Sequence, residues 1–153
     1  MEALRRAMLP CGRWHISPKP VTYVKRVGGE RVFKPCGLWY GIGDSWLEWM
    51  ESEMPDWLPD PGHFLVEIGI SDEVLVIDND RRFAGFRRRF EMRGLIDWVS
   101  VAREYSGIEI SPYFWEYRML TWYYPWDCAS GVIWRPSGGK VLSCRRMDEL
   151  YST

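Results

Sequence analysis

Two acids, a histidine and a block of aromatic residues are the parts of this chain that could do chemistry. Glu109 stands in "GIEI" and Asp127 in "YYPWDCASGVIW", while His15 and Ser17 belong to "RWHIS" and Gly37, Trp39 and Tyr40 to "KPCGLWYG". A carboxylate facing a developing cation stabilises it and can accept a proton. Aromatic rings stack on a planar base, glycine lets a ligand approach the backbone, and a neutral imidazole offers one donor and one acceptor. In a strand of period two, Ile108 and Ile110 turn Glu109 to the opposite side, as a site acid or as part of a solvated face. Asp127 is either a site acid or a turn former that accepts from the backbone of Ser130 or Gly131. The joining of aromatics, acid and small residues in "WDCASG" favours Asp127.

Positioning these residues requires strands at both ends of the chain and helices in the middle. "RWHIS" reads as a strand stopped by "PKP", and "VTYVKRV" as a second strand or a helical turn leading to Gly28 and Gly29. "ERVFKPCGLWYGI" is extended, with Asp44 capping a helix in which Trp46 and Trp49 share a face and which ends by Pro55. "MPDWLPDPG" is a surface loop, and "HFLVEIGI" and "EVLVID" are strands. Asn79 or Asp80 caps an arginine-rich helix whose Phe83, Phe86 and Phe90 recur at core spacing. "LIDWVSVAREY" is a further helix, followed by strands "GIEI", "MLTWYY", "GVIW" and "KVLSC". Few helices lie in crossover positions, which favours a single α+β domain over residues 1–153 with mixed or mainly antiparallel sheets.

At 153 residues the chain suits one domain, and such a domain buries roughly 70% of its unfolded surface. A hydrophobic fraction of 46% and a charged fraction of 27% fit a soluble protein. No apolar run reaches the ~20 residues of a membrane span, and the N-terminus lacks a signal peptide's apolar core, so a cytoplasmic protein without membrane partners is expected. Four scattered cysteines without a CxxC, beside two histidines, read as reduced core or near-core thiols rather than a metal site. The net charge of −1 argues against a nucleic-acid coat. Locally, residues 44–60 are acidic and residues 81–93 basic, so Arg88 and Arg89 either solvate a helix face or engage an acidic partner.

Taken in order, "WHIS", "KPCGLWYG", "YSGIEI" and "YYPWDCASGVIW" resemble the motif pattern of ADP-ribosyltransferase-like domains, over residues 13–135. The "GIEI" and "DCASGVIW" portions also resemble the C-terminal part of small viral members of that family. The resemblance implies two small sheets around a cleft and transfer of ADP-ribose from NAD, the substrate, to a protein or nucleic acid by a monomeric enzyme. It implies that His15 binds a ribose hydroxyl, that Ser17 belongs to the NAD-binding set, that Gly37 and the residues after it wall the nicotinamide with Tyr40 or Trp39, and that Asp127 or Glu109 is the catalytic acid. Neither acid stands in the paired E-x-E or Q-x-E arrangement common in the family. The alternative expectation is a catalytically inactive module that engages a protein or nucleic acid through the arginine-rich helix.

Overall fold

The computed structural model describes residues 1–28 and 34–151. In chain order the elements are α1 (Glu2–Ala7), β1 (Arg13–Ser17), β2 (Leu38–Ile42), α2 (Ser45–Glu53), β3 (Phe64–Ile70), β4 (Val74–Ile77), α3 (Asp80–Phe90), β5 (Glu91–Met92), β6 (Leu95–Ile96), α4 (Trp98–Glu104), β7 (Gly107–Ile110), β8 (Ser130–Ile133), β9 (Gly139–Arg146) and α5 (Met147–Tyr151). The fold is α+β. Seven strands form one sheet in the order β4-β7-β8-β2-β1-β3-β9, and β5 and β6 form a separate hairpin. Within the large sheet β4 and β7 are parallel and the other neighbours antiparallel.

Connection lengths force this sheet to curl. Residues 71–73 join β3 to β4, which hold the sixth and first places in the order. In a flat sheet those places lie about 24 Å apart at the usual strand spacing, whereas a link of three residues reaches only about 14 Å. Residues 134–138 join β8 to β9, in the third and seventh places, about 19 Å apart in a flat sheet and only just within reach of that link. The two links meet where Ser71 donates its N–H to the Gly138 carbonyl at 2.9 Å and its hydroxyl to the Ser137 carbonyl at 2.7 Å. Tyr40, Val66, Ile68, Val74 and Ile133, from four strands, consequently share one buried cluster on the concave face, together with Val24.

The convex face carries two clusters. Phe83, Phe86 and Phe90 of α3 pack with Trp98, Trp122 and Trp126 over Ile108, Ile110 and Val132 of β7 and β8. Leu4, Leu47, Met50 and Leu150 of α1, α2 and α5 pack over Trp14 and Leu65 of β1 and β3. The phenylalanine spacing thus fixes α3 as expected, and the Asn79 side chain accepts from the Arg82 N–H at 2.9 Å to cap it. Asp97 caps α4 in the same way, accepting from the Ser100 N–H.

Several expected elements differ. "MLTWYY" is a run of turns, because Trp122 and Tyr123 are both fully buried at successive positions, which strand alternation does not allow on one face. "VTYVKRV" forms neither strand nor helix; it is an irregular strap whose Val24 is buried and whose Val27 N–H donates to the Trp134 carbonyl. The predicted run "ERVF" and Gly29 lie outside the described residues. In place of two small sheets of similar weight there is the seven-stranded sheet and the short hairpin. Cys11 and Cys36 are exposed, and only Cys128 and Cys144 are partly covered; all four are free thiols. No helix among the described residues is long and apolar enough to cross a membrane.

Candidate functional site

Strand parity divides the sequence-predicted site between the two faces of the sheet. Tyr40 pairs with Gly131, and Gly131 with Glu109, while Trp39 pairs with Val132 and Val132 with Ile108. Side chains directly opposite one another in paired strands share a face. Tyr40 and Glu109 therefore lie on the concave side, and Trp39 lies with the isoleucines on the convex side. Arg13 pairs with Ile42, two residues on from Tyr40, and so shares the concave face. β1 and β2 pair only as far as Trp14 and Gly41; past that point His15 pairs with Val66 of β3 and lines a cavity together with Trp14 and Trp39.

Three of these side chains form a buried polar network. The Tyr40 hydroxyl donates to Glu109 Oε1 at 3.0 Å. Arg13 Nε donates to the same oxygen at 2.6 Å, and its Nη2 to Oε2 at 3.3 Å. The Glu109 side chain is 5% exposed and that of Arg13 29%. Gly131 makes the reach possible: a Cβ there would overlap the Tyr40 hydroxyl, so the ring crosses β8 over a bare backbone. Burial raises the Tyr40 phenol well above its usual value, the Glu109 charge and hydrogen bond add to this, and Arg13 opposes them. Burial pulls the Arg13 guanidinium down, but the hydrogen bond and charge of Glu109 and then Tyr40 outweigh it, leaving Arg13 raised and charged. Glu109 is accordingly not on a solvated strand face. Its carboxylate is held in place by donors on both oxygens.

His15 is bonded to the backbone of β2 instead. Its Nδ1 lies 2.6 Å from the Trp39 carbonyl, and because a carbonyl only accepts, that nitrogen carries the proton and Nε2 is left as an acceptor. Burial lowers the imidazole's pKa, with the Trp39 bond opposing, so the ring is neutral at pH 7. Ser17 is buried and its hydroxyl accepts from the Lys19 N–H at 3.1 Å, closing a local turn. Gly37 has φ +158°, and a Cβ there would overlap the Ile133 carbonyl, so close contact with β8 explains this glycine without a ligand.

Asp127 is in a different place. It is exposed, in the loop before β8. Partial burial raises its carboxyl pKa, Lys34 opposes this and Glu53 adds to it. Lys34 donates to the Pro125 carbonyl at 2.7 Å and stands 4.4 Å from the Trp39 ring centroid. Asp127 thus accompanies Trp39 on the convex side, and Glu109 accompanies Tyr40 on the concave side. Arg88 and Arg89 are exposed on α3, where Arg89 pairs with Glu104 and the neighbouring Arg87 with Glu91 at 2.5 Å.

A cavity of about 370 Å³ lies over β1 and β2 on the convex side, lined by Trp14, Trp39, Trp46, Trp57, Met50 and His15 among others. Part of its wall is α2, the helix from Asp44 that the sequence places against the pocket; the sequence reading missed Trp57, in the short turn Pro55–Trp57. It also missed Arg13, which carries no motif and is recruited by register alone. Among the described residues no group of three histidine, cysteine, aspartate or glutamate side chains is placed to hold a metal.

No family model, curated protein or solved structure matches the chain.

Proposed function

We propose that the domain transfers ADP-ribose from NAD to a macromolecular acceptor, with Glu109 as the acid. The supporting observation is the meeting of Arg13, Tyr40 and Glu109 from three strands. Breaking the bond between nicotinamide and ribose develops an oxocarbenium-like cation, which a fixed carboxylate stabilises. Tyr40 and Arg13 hold that carboxylate, and the neutral His15 supplies an acceptor at Nε2 for a ribose hydroxyl. Substrate access requires Arg13, the more exposed member, to swing aside. The exposed Arg88 and Arg89 suit an acidic protein or nucleic acid as acceptor, and four free thiols suit a reducing compartment such as the cytoplasm.

A second reading is favoured by the same carboxylate having donors on both oxygens: a buried network that only supports a binding module acting through α3. Labelled NAD incubated with the protein and cell lysate separates the two. The transferase releases nicotinamide and labels an acceptor, and Glu109→Gln stops both. Absence of nicotinamide release at every acceptor and NAD concentration leaves the binding module.

A further inference from the structure

The tryptophan cavity over β1 and β2 shares His15 with the proposed transfer site but not its acid, and its walls point to a ligand of their own. Its volume of about 370 Å³ lies within the range of small-molecule sites, roughly 300–1,000 Å³. Trp14, Trp39, Trp46 and Trp57 all line it. Trp49 braces two of them edge to face, at 6.3 Å and 79° from Trp46 and at 6.1 Å and 61° from Trp57. Trp57, 60% exposed, is the lip of the cavity.

The rim is acidic. Residues 44–60 carry Asp44, Glu48, Glu51, Glu53, Asp56 and Asp60 with no lysine or arginine. Arg5 pairs with Asp44 and Glu51, and the exposed Glu48, Glu53 and Asp56 remain to set the local field. Asp60 holds His63, the other histidine on the wall, at 3.0 Å. Lys34, which stands against Trp39, is bonded to the Pro125 carbonyl.

Indole faces attract cations, and carboxylates around them raise the local cation concentration. A compact, strongly hydrated ammonium would lose its water on entering such an apolar space. An ammonium whose hydrogens are replaced by methyl groups has no donors to strand, and it gains apolar contact as well as the ring quadrupoles. We propose that this cavity binds a small quaternary ammonium compound of the choline type. The inference does not rest on the transferase reading, and its readout does not involve NAD.

The test is a titration of the purified chain with tetramethylammonium and with choline, followed by tryptophan fluorescence and calorimetry, beside 3,3-dimethylbutanol as choline's uncharged counterpart. The cations should bind about tenfold more tightly than the alcohol, the range expected of a partly desolvated cation–π site. Trp57→Ala, which truncates an exposed ring and leaves the core intact, should weaken choline binding by a similar factor. Glu53→Gln with Asp56→Asn should weaken it less and flatten its salt dependence. Equal or tighter binding of the alcohol, no saturable binding of either cation, or full affinity in the Trp57 variant each overturns the proposal.

Discussion

The concave and convex faces of the sheet bury their side chains by different rules. On the concave face a charge pair and a phenol are enclosed among valines and isoleucines, and every polar atom of Glu109 has a partner. On the convex face aromatic area does the work, and the indole N–H groups of Trp46, Trp98, Trp122 and Trp126 are buried without a hydrogen-bond partner. A lone indole N–H is a modest loss beside the apolar area its ring buries, whereas an unpaired buried carboxylate would cost several kcal/mol. The difference teaches that the polar network is specified residue by residue, while the aromatic side tolerates imperfect pairing.

The sharpest way to break this comparison is to substitute the acid of each face. Under the transferase reading Glu109→Gln should lower NAD cleavage by on the order of 10²-fold or more, the usual effect of losing a charge aimed at a transition state. Asp127→Asn should leave the rate within about twofold, because that carboxylate is exposed and stands with Lys34 rather than Tyr40. The reverse ranking, measured as nicotinamide release, would move the site to the convex face.

A second substitution probes the geometry without touching a charge. Gly131→Ala places a Cβ where the Tyr40 hydroxyl lies, so the ring must move or the strands part. Overpacking of this kind costs about 1–3 kcal/mol, read as a lower urea midpoint with an unchanged slope. A midpoint equal to the parent would mean that Tyr40 need not cross β8 at all.

These residues also mark how much was legible in the sequence. Local rules sufficed where the cause was local: Phe83, Phe86 and Phe90 at helical spacing, and Asn79 as a cap. They sufficed for Glu109 turning away from Ile108 and Ile110, since a strand's pleat is written in its own residues. They failed where the cause lay in another strand. Nothing near Arg13 announces that it will meet a residue 96 positions away. Leaving the choice between Trp39 and Tyr40 open ignored the same pleat that placed Glu109, which turns only Tyr40 to its side. Asp127 drew attention through neighbours whose rings, Trp122 and Trp126, serve the core. The curl was hidden because it depends on two short links whose endpoints are known only once the strand order is.

A smaller effect should come from His15, which joins the faces by bonding across to the Trp39 carbonyl. Its folded pKa is lowered from 6.5. Below pH 6.5 the unfolded chain therefore binds a proton that the folded chain refuses, and stability falls with pH until the folded pKa is passed. Above pH 6.5 this contribution is fully present. His15→Gln, whose amide can still donate to the carbonyl, should flatten the acid-side decline of the melting temperature between pH 6.5 and about 5. An unchanged slope would mean that the decline arises elsewhere.

The smallest effect on the fold is expected on the solvent side of α3, at Arg88 and Arg89. Both are exposed, and Arg89 is tied to Glu104 by a surface ion pair. Exposed pairs contribute about 0–1 kcal/mol, so changing both residues to Gln should scarcely move the melting temperature. Acceptor binding is another matter. If α3 attracts an acidic protein or a nucleic acid, the double variant should bind it more weakly, and the dependence on salt should flatten because fewer counterions are released per contact. NAD cleavage without acceptor should stay at the parental rate, since neither arginine belongs to the Arg13, Tyr40 and Glu109 network. Acceptor binding that is unchanged across a salt titration would leave α3 a solvated face, and the acceptor would have to be recognised by surfaces closer to the sheet.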